Sequence, residues 1–185
     1  PKGVYYHLGG LYQEQQTAFR GLLAVFLSAA VLVFTVLLLL YQSLRVAAVM
    51  LLTTLLTIPA VFIGLWWTGT ELNVTSLMGL TMVLGIVTEV GIFYYCEYQD
   101  LRACVDRKGR LIQAGLNRLR PITMTTLAAI LALLPLALAI GEGSAMQKPL
   151  AIAIISGLLV QVPLVVIVLP TFLMLLTRST TSGRT

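Results

Sequence analysis

Five runs of roughly twenty apolar residues, parted by short polar or charged stretches, restrict the folds open to this chain more than any other feature. An α-helix rises about 1.5 Å per residue, so about 20 residues cross a hydrocarbon layer about 30 Å thick. The runs cover residues 21–41, 46–68, 74–95, 121–140 and 150–176. Backbone amides find no water in lipid, and a lone strand would leave them unpaired, so the β-branched residues in these runs are read as helical. Of the 185 residues, 58% are hydrophobic and 10% charged, against about 25% charged in soluble domains. A soluble domain of this size hides only about two-thirds of its unfolded surface, too little to cover so much apolar side chain. The expected fold is all-α, a polytopic membrane bundle of about five transmembrane helices.

Lysine and arginine orient the bundle. Five spans put the two termini on opposite sides. Arg45, Arg102, Arg107, Lys108, Arg110, Arg118, Arg120, Arg178 and Arg184 fall on one side, and only Lys2, Arg20 and Lys148 on the other. Cytoplasmic loops carry the excess of basic residues. The C-terminus is therefore expected in the cytoplasm, and residues 1–19 and the turns at 69–73 and 141–148 outside. In residues 99–119, Leu101, Val105, Leu111, Ile112, Leu116 and Leu119 recur at near-helical spacing between charges. That pattern predicts an extension of the third helix, a break at Lys108–Gly109 and a short amphipathic helix on the cytoplasmic face. Pro121 is expected in the first turn of the fourth span, where its missing N–H does no harm. Residues 179–185, small and polar, are expected to form a disordered tail. The chain opens on Pro1 with no signal-peptide pattern, and is expected to begin inside a longer protein.

Several chemistries find no support in the residues. The net charge of +5 comes from basic residues beside apolar runs, without the interleaved aromatics of a nucleic-acid platform, so no nucleic-acid partner is expected. Cys96, Cys104 and the lone His7 make neither a disulfide framework nor a zinc site. There is no phosphate-binding loop, no nucleophile with an adjacent base and no paired-histidine motif, so neither an enzyme nor an ATP-driven machine is expected.

The residue most able to carry chemistry is Glu89, an acid inside the third span. An intramembrane carboxylate is expensive unless it finds a partner or a proton, and low dielectric favours a carboxyl's neutral form. Such a group can load and unload a proton, or it can bond to a neighbouring helix. Gly85 and Gly91 flank it and are expected to let another helix approach closely. Thr123, Thr125 and Thr126 open the fourth span, where hydroxyls can relay protons or bond back to their own helix. Pro135 and Pro163 lie within spans and are expected to kink them. Met78 and Met82 share a face of the third span; thioethers suit copper(I), and methionine also fills cores. Glu97 and Asp100 are expected to pair with Arg102 or Lys108 in water.

Gly85-Ile86-Val87-Thr88-Glu89-Val90-Gly91-Ile92 resembles the tenth span of resistance-nodulation-division (RND) efflux permeases. Arg118-Leu119-Arg120-Pro121-Ile122-Thr123-Met124-Thr125-Thr126 is similar to the family's Arg-Pro-Ile-x-Met-Thr signature at the eleventh span. Leu133-Leu134-Pro135-Leu136-Ala137, then Gly141-Glu142-Gly143-Ser144, matches the pattern up to the next turn, and Gly9-Gly10-Leu11-Tyr12 resembles the end of the last periplasmic segment. The resemblance implies spans eight to twelve of a twelve-span pump in the bacterial inner membrane, driven by the proton gradient without a bound cofactor. It further implies a homotrimer, a periplasmic adaptor, an outer-membrane channel and the remainder of the permease as partners. By the same resemblance Glu89, Thr125 and Thr126 are proton-relay candidates, and Arg118, Arg120 and Pro121 form the cytoplasmic motif. Typical drug exporters carry Lys at the position of Glu89, paired with aspartates of the fourth span. Copper and silver exporters resemble this chain there, but carry Lys after the proline, where Ile122 stands. Drug or small-solute export, heavy-metal export, and protein or lipid export all stay open.

Overall fold

The computed structural model describes residues 11–101, 106–141 and 143–178. Its helices are α1 (Leu11–Tyr41), α2 (Leu44–Leu55), α3 (Thr57–Trp67), α4 (Val74–Asp100), α5 (Arg107–Ala137), α6 (Ser144–Pro163) and α7 (Leu169–Arg178), with a π-helical turn, Leu164–Val168, joining the last two. They form five membrane-length spans, Gln16–Tyr41, Leu44–Trp67, Val74–Asp100, Lys108–Ala137 and Ser144–Leu175. The all-α, five-span architecture is thus the observed one, and no strand occurs among the described residues. The expected tail at 179–185 and the first ten residues of the expected external segment lie outside the described residues.

Three spans depart from their predicted outlines, each for a backbone reason. The second is two helices, because Pro59 has no N–H for the Leu55 carbonyl; the chain breaks at Leu56 and restarts with Thr57, whose hydroxyl donates to the Thr54 carbonyl at 2.6 Å. The expected break at Lys108–Gly109 and the separate amphipathic helix are corrected. The interruption falls before Arg107, and α5 runs unbroken through Gly109 and Pro121 to Ala137. Pro121 is therefore interior to a helix rather than at its start. Just beyond it, the Thr123 hydroxyl donates to the carbonyls of Leu119 (2.7 Å) and Arg120 (2.9 Å). In the fifth span, Pro163 ends α6 and the chain widens into the π-turn before Pro170.

Van der Waals packing, rather than expulsion of water, draws helices together in lipid, so small residues set the closest contacts. α6 packs against α3, α4 and α5. A Cβ at Gly64 would fall on the Ser156 side chain. One at Gly79 would lie 2.8 Å from Ala153 Cβ and 3.0 Å from the Leu150 carbonyl oxygen, and one at Gly157 would lie 2.5 Å from Val83 Cγ1. This α3–α4–α6 seam holds one apolar cluster, including Val61, Leu65, Leu80, Val83, Val87, Ile154 and Leu158. A second cluster at the arginine-rich end includes Leu37, Met50, Val90, Tyr94, Leu111, Ile122, Val165 and Leu169. Apart from Ser76 and Ser144, in the first turns of α4 and α6, the buried polar residues fall between the two clusters. They are Thr53, Thr54 and Thr57 around the α2–α3 break, Thr88 on α4, Thr126 on α5 and Gln161 on α6. A polar layer therefore crosses the bundle at mid-span. Trp66 and Trp67, both strongly exposed, end α3, and such side chains are enriched where spans meet the headgroups.

Candidate functional site

The register of α4 is set at its start. Asn73 Oδ1 accepts from the Ser76 backbone N–H at 3.0 Å, and Ser76 Oγ accepts from the Asn73 N–H at 2.9 Å, a reciprocal cap. Glu89 then lies two residues past the middle of α4, about 3 Å along the axis. Neighbouring residues on a helix point about 100° apart, and here that angle separates two environments. The buried Thr88 hydroxyl donates to the Leu84 carbonyl at 2.7 Å and lies 3.4 Å from Thr54 Oγ1. Glu89 faces the open side, on a stripe with Met78, Met82, Gly85 and Phe93.

Glu89 lines a cavity of about 320 Å³ between α4, α5 and α6. At about 30 Å³ per water, several waters fit. Its polar lining is Glu89, Arg118, Thr125, Thr126 and Gln161, and its apolar lining includes Ile86, Phe93, Pro121 and Leu158. The acid and both relay threonines are thus brought together, but the threonines differ. Thr125, exposed, directs its hydroxyl at its own helix, 3.0 Å from the carbonyls of Pro121 and Ile122. Thr126 is buried and accepts from Gln161 Nε2 at 3.0 Å, the one hydrogen bond described between α5 and α6. Gln161 went unremarked in the sequence, although an amide within Leu158-Leu159-Val160-Gln161-Val162 is a polar break in an apolar run.

Two expectations about the surroundings of Glu89 need correcting. It is not enclosed by closely packed helices of this chain. Gly85 and Gly91, expected to admit a neighbour, would each carry a Cβ with no atom of another element within 4 Å. The close approaches belong to Gly64, Gly79 and Gly157 on the other side of the bundle. Glu97 pairs with Arg118 at 2.9 Å rather than with Lys108, and also accepts from Asn117 Nδ2 at 2.9 Å, while Arg102 lies outside the described residues. The physical reason is that α4 stays helical to Asp100 and packs along α5, which carries Glu97 to the Arg-Pro motif. The Arg118 guanidinium also lies 5.8 Å from the Phe93 ring centroid, while Arg120 is exposed. Met78 and Met82 stand on the open stripe, and no group of three His, Cys, Asp or Glu residues assembles among the described residues.

Five apolar spans, a mid-span polar layer and an acid beside a cavity of several waters' volume define a polytopic helical bundle of membrane-spanning length. The AcrB/AcrD/AcrF family model matches residues 1–177, and the chain belongs to that family, the RND efflux permeases. It is 34% identical over 158 residues to the multidrug resistance protein MdtC of Pectobacterium atrosepticum, covering 80% of this chain and 15% of that protein. It is 28% identical over 149 residues to the cobalt-zinc-cadmium resistance protein CzcA of Cupriavidus metallidurans, covering 80% of this chain and 14% of that one. Its fold is similar to the crystal structure of a heavy metal efflux pump, with a TM-score of 0.81 and 29% identity over 96% of this chain and 18% of the pump. The chain thus spans about 15% of the length of the curated relatives it matches.

Proposed function

We propose that this chain is the distal transmembrane part of a proton-driven RND permease that exports drugs or other small toxic solutes, with Glu89 taking up and releasing the coupling proton. The observation that carries the reading is the placement of an acid near mid-span, in a cavity that admits water and is lined by Thr125, Thr126 and Gln161. A carboxyl at mid-span beside water can exchange a proton with it, and charges at such depth are costly in general. The similarity to a multidrug resistance protein supports small-solute cargo. In this reading the C-terminus lies in the cytoplasm of a bacterial cell and the chain sits in the inner membrane. It works with the first-half spans and periplasmic domains, as a homotrimer joined to a periplasmic adaptor and an outer-membrane channel.

Heavy-metal export is the second reading. It is favoured by the likeness to CzcA and to the heavy metal efflux pump, and its metal would be cargo rather than a resident cofactor. The test common to both is Glu89→Gln in the permease that carries this chain. Export is expected to fall to background while expression and assembly hold; export at the normal rate would remove Glu89 from energy coupling. Comparing the wild type on dyes and on divalent cations decides the cargo.

A further inference from the structure

We propose that Gln161 is a positioning residue for the proton on Glu89, its amide oxygen accepting a hydrogen bond directly from the protonated carboxyl. This rests on the reading of Glu89 as the coupling acid.

Four observations lead there. Gln161 is 1% exposed, yet it lines the same cavity as Glu89, from a different helix. Its Nε2 is committed to Thr126 Oγ1 at 3.0 Å, which fixes the amide's orientation. Its Oε1 is buried without a partner among the described residues, and a buried acceptor left unpaired is both rare and costly. Its backbone is held too, since the Leu164 N–H at the head of the π-turn bonds to the Gln161 and Val160 carbonyls.

That oxygen is itself out of reach of water, so what can satisfy it is narrow. An amide oxygen only accepts, and an ionised carboxylate also only accepts, so charged Glu89 offers it nothing. Protonated Glu89 carries an O–H and does. Thr125 spends its hydroxyl hydrogen on its own helix. Arg118 of α5 is the other charged group on the cavity lining; Glu97 of α4 holds its Nη2, and its Nε, buried without a partner among the described residues, belongs to a residue about two turns of α5 before Thr126. On the remaining elements packed around α4, Arg20 of α1, Arg45 of α2 and Lys148 of α6 lie off the lining, and α3 has no charged residue. Gln161 therefore favours the proton-loaded form of Glu89 over the empty one. The proton stays on Glu89 throughout, and the amide transfers nothing.

The test follows the reaction of Glu89 with dicyclohexylcarbodiimide, which modifies protonated carboxyls, against pH by mass spectrometry, in the complete permease in liposomes. Gln161→Met keeps the volume and removes the amide. It is expected to lower the pH of half-reaction by about 0.5–1 unit. Thr126→Val keeps its shape and frees Nε2, and is expected to shift the midpoint the same way by less. It decides the matter if Gln161→Met does not assemble. An unchanged midpoint overturns the proposal. So does a raised one, which would mean that the amide nitrogen, a donor to the carboxylate, faces the cavity. Failure of the underlying reading shows separately, as normal export by Glu89→Gln.

Discussion

The two sides of α6 are built on opposite principles. Toward α3 and α4 it presents Ala153, Ser156 and Gly157 to Gly64, Gly79 and Val83, at distances that leave no room for an added methyl. Toward α5 it presents Gln161 to Thr126, beside a cavity of about 320 Å³. Dispersion is the main attraction between helices in lipid, so a seam of small residues gains most where backbones come nearest. A site that exchanges protons needs the reverse, namely space, water and polar atoms with unmet demands. One helix serves both because its two faces are chemically distinct. The rigid face fixes where the polar face stands.

Substitutions on the two sides can break or sharpen that contrast. The largest effect is expected at the seam, where Gly79→Ala and Gly157→Ala force contacts of 2.8 Å and 2.5 Å and should each cost about 1–3 kcal/mol, read from denaturant unfolding in detergent. A cost near zero would mean that the seam is looser than described. Next comes Tyr94→Phe, which strips the Leu111 carbonyl of a buried 2.7 Å hydrogen bond across the α4–α5 contact. About 1 kcal/mol is expected, and no change in unfolding would mean that α5 is not anchored to α4 there. Glu97→Gln should cost at most about 1 kcal/mol, because the Arg118 pair is partly exposed, and the difference from wild type should shrink in high salt. Smallest, and opposite in sign, is Gly85→Ala on the open stripe, expected to be neutral or stabilising by under about 1 kcal/mol. A loss as large as that at Gly79, measured in the complete permease, would show the open face covered at close range by another helix.

Glu89 and Gln161 show how far the sequence could be read. Glu89 was legible because a charge inside an apolar run violates the solvent's preference wherever the chain folds. Gln161 broke the same rule more quietly, an uncharged amide among Leu and Val, and only its pairing with Thr126 and its orphaned oxygen make it conspicuous. The glycines misled in the other direction. Gly85 and Gly91 sit beside the acid in sequence and suggested close packing, while the packing belongs to Gly79 on the buried face of the same helix.

The order and number of the spans, and the acid within one of them, were determined by the sequence alone, since hydrocarbon thickness and the cost of bare amides act on any chain in lipid. Which face of each helix meets a neighbour was decided only by the tertiary structure. When nearly every position of a span is apolar, no periodic pattern marks the inward side. The choice falls to the fit of backbones and small side chains in three dimensions.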